Sequence, residues 1–145
     1  MACVKEILDA KGSQVLTIGQ EASVLQAAKL MNEHKVGSLV VSDDGRLVGI
    51  FTERDVLCRV VGECRDPAST RVADVMSTEV ACCTMATSID EARSAMKNRR
   101  IRHLPVVDGD RRLLGMVSIG DLNAYQTNTQ EKTIHLLHEY LYGRA

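Results

Sequence analysis

The sequence predicts an α/β (α+β) fold made of two copies of one unit, strand, helix, strand, strand, helix. The copies are expected to pack as a pseudo-twofold pair, with one further helix at the C-terminus. Two observations carry this prediction. First, the string Gly49-Ile50-Phe51-Thr52-Glu53-Arg54-Asp55 returns as Gly115-Met116-Val117-Ser118-Ile119-Gly120-Asp121. Second, the helical stripe Val24, Ala27 and Met31 returns 65 positions on as Ile89, Ala92 and Met96, and Val36 to Val41 returns at the same offset as Ile101 to Val106. A repeat held in register over such a length marks two copies of one supersecondary unit.

The elements follow in order from local pattern. Val4 to Leu8 is a short amphipathic lead-in, Lys11-Gly12-Ser13 a turn, and Val15 to Ile18 a strand. A helix starts at Glu21-Ala22-Ser23, puts Val24, Ala27, Ala28 and Met31 on one face, and breaks at Gly37. Ser38 to Ser42 is a buried strand, Asp43-Asp44-Gly45 a hairpin turn, and Arg46 to Phe51 its partner. The next helix runs from near Thr52 to about Gly62, and a linker containing Pro67 follows. Then the plan restarts. Val72 to Met76 echoes the lead-in and Val80 to Cys83 the first strand. After one extra residue in the second hairpin turn, the offset becomes 66. The boundaries are about 4–65 for the first copy and 72–126 for the second, with the last helix at about 128–142. In that helix Ile134, Leu137 and Leu141 form a stripe, and His135 and His138 read as surface residues.

Composition excludes several function classes. Lys+Arg 18 against Asp+Glu 19 gives no broad charge for nucleic acid or membrane binding. Aromatic residues are 3% of the chain, with Phe51 the single Phe and no Trp, so platforms for stacking bases are absent. The five cysteines, Cys3, Cys58, Cys64, Cys82 and Cys83, form no C-x-x-C and suggest a reducing compartment. Cys58 is expected to be a small buried hydrophobe, while the adjacent Cys82 and Cys83 should face opposite sides. No apolar run reaches the length of a membrane span. The expectation is a soluble cytoplasmic protein. No nucleophile–base pair, P-loop or metal cluster is visible, so an enzyme is not expected.

The chemistry concentrates in the two Gly-to-Asp strings. Each places a Thr or Ser where a strand meets a helix and a carboxylate in the first helical turn. That carboxylate can favour the helix N-terminus through the dipole. It can equally accept charge-assisted hydrogen bonds from paired hydroxyls. Arg102 and His103 lie beside Arg99 and Arg100, as a solvated face or as partners for phosphate.

With these residues laid out, the chain resembles a tandem pair of CBS motifs, the arrangement called a Bateman module. Ile101-Arg102-His103-Leu104-Pro105-Val106-Val107-Asp108 is similar to the family's second-strand signature, and both Gly-to-Asp strings resemble its ligand motif. The resemblance covers about residues 4 to 126. It implies clefts between the motifs that bind an adenosine-containing ligand: AMP, ADP, ATP, NAD(H) or S-adenosylmethionine. Carried over, one cleft would use Asp55, Thr52 and Ile50, with Val80 and Ala81 across and Arg102 and His103 reaching phosphate. The other would use Asp121, Ser118 and Met116, with Val15 and Leu16 across and Arg54 entering from the first copy. Gly37 and Pro105 are carried over as further lining, and the copies are not equivalent: Gly37 stands where Arg102 does, Val40 where Pro105 does, and Gly120 where Arg54 does. The resemblance further implies a regulatory module for some partner protein and a homodimer through the apolar helix faces. The alternative is a structural or dimerisation module with vestigial clefts.

Overall fold

The computed structural model describes residues 2–125. The expected C-terminal helix, with its stripe and His135 and His138, lies outside them.

The first copy runs α1 (Val4–Lys11), β1 (Thr17–Gly19), α2 (Val24–His34), β2 (Ser38–Asp43) and β3 (Arg46–Thr52). A short α3 (Glu53–Asp55) continues directly into a π-helical segment, Val56–Val61. The second copy runs α4 (Val72–Val75), α5 (Ile89–Arg99), β4 (His103–Val107), β5 (Leu113–Ser118) and helical residues 119–125. The first sheet has the order β1-β2-β3, parallel then antiparallel. In the second, β4 and β5 pair antiparallel, and the strand expected at Val80 to Cys83 is reduced to one parallel bridge, Cys83 with Val106. Cys83 makes both of its ladder bonds, N–H to Pro105 O and O from Val107 N–H, each at 2.9 Å, and Pro105 has no N–H with which to extend the ladder to Ala81.

Helices α2 and α5 are started alike, by capping boxes Ser23–Gln26 and Ser88–Glu91, which satisfy two otherwise unpaired N–H groups each. Their apolar stripes pack on separate cores, one around Phe51, Leu39 and Val41, the other around Leu104, Val106 and Val117. Both hairpins carry a bulge at the same place, leaving Val48 and Leu114 without cross-strand partners in the register. A bulge shifts the alternation of faces. Val48 and Leu114 therefore turn to their own cores, while Leu47 and Leu113 turn to a third, central cluster with Val40 and Val107.

The pseudo-twofold relation is written in backbone bonds. Leu47 N–H donates to Arg111 O and Leu113 N–H to Gly45 O, each at 3.0 Å, around a bridge between Arg46 and Arg112. The two lead-ins are exchanged: Val4, Ile7 and Leu8 of α1 complete the second core, and Val72 and Val75 of α4 complete the first. Matching bonds hold them, Val4 N–H to Thr87 O at 2.9 Å and Val72 N–H to Ala22 O at 2.8 Å. Gly49 and Gly115 let the lead-ins approach, since a Cβ at Gly49 would lie 2.7 Å from Met76 Sδ and one at Gly115 2.8 Å from Leu8 Cδ1.

Three local expectations are corrected. Of the turn expected at Lys11-Gly12-Ser13, Lys11 is instead the last residue of α1, and the chain turns from Gly12, φ +95°. The helix expected from Thr52 to Gly62 is α-helical for only three residues before it widens, with Gly62 N–H donating five residues back to Leu57 O at 2.9 Å. Cys58 is exposed rather than buried, because the widened segment turns Val60 inward and Leu57, Cys58 and Val61 outward. Cys82 is exposed and Cys83 buried, on opposite sides of the chain as alternation requires.

Candidate functional site

The Thr–Asp and Ser–Asp strings build two sites of one design, each where a hairpin ends and the lead-in from the other copy crosses it. In the first, Asp55 Oδ2 accepts from Thr52 N–H at 2.9 Å and from the Thr52 hydroxyl at 3.2 Å, while Asp55 N–H donates to Thr52 Oγ1 at 3.2 Å. In the second, Asp121 Oδ2 accepts from Ser118 N–H at 2.9 Å and Asp121 N–H donates to Ser118 Oγ at 3.0 Å. These reciprocal pairs are capping boxes, so the helix-terminus role is real in both copies. Capping alone does not require a sheltered aspartate. In the two other capping boxes the reciprocating residues, Gln26 and Glu91, are exposed, whereas Asp55 is 7% exposed and Asp121 is half-buried.

Each site presents two acceptors, a strand carbonyl and the Asp carboxylate, and the exchanged lead-in serves both. In the first, Ser77 N–H donates to Ile50 O at 2.8 Å and Ser77 Oγ reaches Asp55 Oδ1 at 3.5 Å, with Arg59 Nε 3.8 Å from the same oxygen. In the second, Lys11 Nζ donates to Met116 O at 3.0 Å and to Asp121 Oδ2 at 2.7 Å. Lys11 is the residue that sequence reading misses. Its signal was its place at the close of an amphipathic lead-in three residues longer than that of the second copy, as Leu8 to Val15 against Met76 to Val80 makes plain.

The predicted residues distribute as follows. Ile50 pairs with Val40 and Met116 with Pro105 across their hairpins, so each pair shares a face. Val40 and Met116 belong to the central cluster between the copies, as do Val15 and Val80. Leu16 packs on the first core and Ala81 on the second. Pro105 is buried and its carbonyl accepts the Cys83 amide at 2.9 Å. Gly37 sits against the first helix start, its carbonyl accepting Glu53 N–H at 3.0 Å, and Arg102 does the same for Ile119 N–H at 2.8 Å. Arg54 is exposed.

His103 pairs with Ser118 across β4 and β5, and its charged neighbours are Asp121, Lys11 and Arg102. Surrounding protein lowers its pKa, Asp121 acts to raise it, and Lys11 and Arg102 lower it further. Asp121 itself is pulled two ways. Burial acts to raise its pKa, but hydrogen bonds from Lys11 and the Ser118 amide, with the Lys11 charge, hold it below the ordinary aspartate value. Among the described residues, no group of three or more His, Cys, Asp or Glu could hold a metal ion, and no helix is long and apolar enough to cross a membrane.

Comparison with known proteins places this architecture. The sequence profile of the CBS domain matches residues 4–62 and again 72–127. The chain is 35% identical over 127 residues to the CBS domain-containing protein YhcV of Bacillus subtilis, covering 88% of this chain and 89% of that one. A CBS-domain containing protein from Agrobacterium tumefaciens superimposes with a TM-score of 0.77 at 37% identity, covering 86% of this chain and 99% of that one. The CBS domain pair of protein MJ0100, crystallised with 5′-methylthioadenosine and S-adenosyl-L-methionine, superimposes with a TM-score of 0.75 at 25% identity, covering 89% and 98%. Two matched copies, joined by exchanged lead-ins and a twofold set of backbone bonds, make the chain a tandem CBS-domain pair and a member of that family.

Proposed function

We propose that the protein is a non-catalytic regulatory module that binds an adenosine-containing ligand between its two copies and passes that state to a partner protein. The observation that carries this reading is the pair of sheltered aspartates, Asp55 and Asp121, each fixed by a backbone N–H at 2.9 Å and each crossed by the other copy. A carboxylate so held accepts ribose hydroxyls without first having to be ordered, which favours binding. Ile50 and Met116, beside each carboxylate, offer apolar surface to a base. The 5′-methylthioadenosine and S-adenosyl-L-methionine held by the MJ0100 pair support the ligand class. AMP, ADP, ATP and NAD(H) belong to the same class. The free cysteines suit a reducing compartment such as the cytoplasm.

A thermal-shift panel of AMP, ADP, ATP, NAD(H) and S-adenosylmethionine tests the proposal. At least one should raise the melting temperature in a concentration-dependent way. No shift with any of them, together with an absorbance ratio of purified protein that shows no retained nucleotide, overturns it. That outcome would favour the second reading, a structural or dimerisation module. Leu57 and Val61, 65% and 63% exposed on neighbouring turns, are the observation in its favour.

A further inference from the structure

We infer that the C-terminal end of α5 docks the regulated partner through an acidic peptide segment of that partner, a proposal that rests on the regulatory reading above for its partner but not for its ligand.

The two copies provide an internal control. Helices α2 and α5 end alike, with Lys35 and Arg100 both left-handed at φ 55°. Matching bonds close both ends: Lys35 N–H to Asn32 O and Arg100 N–H to Lys97 O at 3.3 Å, Val36 N–H to Met31 O and Ile101 N–H to Met96 O at 3.0 Å. The backbone is the same and the charge is not. The charges of Glu33, Lys35, Glu53 and Arg54 at the first end cancel, and Asn98, Arg100, Ile119 and Gly120 replace them at the second. Lys97, Arg99 and Arg102 are added there in place of Asn32, His34 and Gly37. The second end thus carries four cations and no acid. Capping and the helix dipole require no such excess, because α2 is closed by the same bonds without it.

Nothing in the described protein answers these charges. Lys97, Arg99, Arg100 and Arg102 are all exposed, and among the described residues none of them joins an ion pair. Arg93, one turn earlier, is by contrast engaged by Asn123 Oδ1 at 2.9 Å and Leu122 O at 3.2 Å. Residues 126–145 offer no net counter-charge, since Lys132 and Arg144 offset Glu131 and Glu139.

The chemistry of the patch selects the class of partner. Its cations fall within residues 97–102, so neighbouring charges lie inside a Debye length of about 8–10 Å and their fields add. Three are arginines, whose planar forks take carboxylates bidentately. Duplex nucleic acid fits less well, because four cations are fewer than the roughly 6–10 phosphate contacts of a strong binder. No Phe, Tyr or Trp lies in residues 92–107 to stack a base. A lipid surface would need apolar anchors, and the large exposed ones, Leu25, Val36, Leu57 and Val61, all belong to the first copy. The patch also adjoins the Asp121 helix, since Arg102 O accepts Ile119 N–H at 2.8 Å. A partner held there sits beside that site.

Fluorescence anisotropy of a labelled octaglutamate peptide titrated with the whole chain tests this. Wild type should bind the peptide at low salt and release it as salt rises. The triple variant Lys97→Gln, Arg99→Gln, Arg100→Gln should bind about tenfold more weakly, the effect of losing three exposed ion pairs. A second triple variant, Lys5→Gln, Lys29→Gln, Lys35→Gln, removes the same charge from other exposed positions and should bind as wild type does. Both variants should melt as wild type, because every substituted side chain is exposed. Arg102 is left intact, so any thermal shift with AMP should persist in the first variant. No peptide binding by wild type, or equal losses in the two variants, overturns the proposal. So does tighter binding of a labelled DNA duplex that the first variant alone weakens. Peptide binding as expected in a chain that takes no adenosine ligand would uphold this surface and sink the ligand reading.

Discussion

Lys11 Nζ stands 2.7 Å from Asp121 Oδ2, although 110 residues separate the two in sequence. The last residue of one copy's lead-in is thereby a constituent of the other copy's site. The exchange of lead-ins makes this unavoidable: whatever binds at Asp121 meets a residue whose helix is part of the second core, and whatever binds at Asp55 meets Ser77.

The acid side of the stability profile follows from that contact. The Asp121 pKa is depressed in the folded state, chiefly because Lys11 and the Ser118 amide outweigh burial. A depressed carboxylate contributes stability that is present above its unfolded value of about 3.9 and is lost as pH falls through the lower folded value. In Lys11→Met the Asp121 carboxyl should therefore titrate at higher pH than in wild type, as read by carbon-detected NMR. An unchanged titration would show that the ammonium does not stabilise the charged form.

The two aspartates should govern ligand affinity. Substituting Asp55→Ala or Asp121→Ala removes a charge-assisted bond to ribose of about 1.5–3 kcal/mol, at least tenfold in affinity at that site. Asp→Asn at either position retains an oxygen able to cap the helix and separates binding from folding. Calorimetry on both single variants and the double variant would decide: if all bind every adenosine ligand as wild type does, neither carboxylate is a ligand group.

Gly49 and Gly115 should differ under the same substitution. A Cβ at Gly49 would meet Met76 Sδ at 2.7 Å and the Ser77 carbonyl at 2.9 Å, and the latter is backbone held by the bridge to Ile50. A Cβ at Gly115 would meet only the end of the Leu8 side chain, nearest at 2.8 Å, which can shift. Gly49→Ala should destabilise by about 1–3 kcal/mol, the usual range for overpacking, and Gly115→Ala by less. Urea unfolding of both variants measures this, and equal losses would contradict the exchanged-lead-in geometry.

Self-association should run through the outward face of the π-helical segment. Leu57 and Val61 are large apolar groups left in water there, and in a twofold pair each would meet its symmetry mate. Light scattering at micromolar concentration should give about twice the 15.9 kDa chain mass, and Leu57→Asp should bring it to one chain. A wild-type monomer, or a dimer indifferent to Leu57→Asp, would place the interface elsewhere or nowhere.

The duplication, the hairpins and the paired Thr–Asp and Ser–Asp strings were all legible in the sequence. Each depends on residues within a few positions of one another: the 3.6-residue stripe of Val24, Ala27 and Met31, the turn chemistry of Asp44-Gly45, the three-residue reach from Thr52 to Asp55. What depends on distant chain segments was not. No local pattern tells Val4 and Leu8 to complete the second core, because an amphipathic segment would suit either one. Nor does it say that α1 runs far enough to bring Lys11 to Asp121, or that Val48 and Leu114 bulge. Tertiary structure decided these, since strand register and lead-in exchange are set by cross-copy hydrogen bonds such as Ser77 to Ile50 and by which side chains the shared core can accommodate. Cys58 shows the same limit: its apolar neighbours signalled burial, and the widening of one helical turn put it in water.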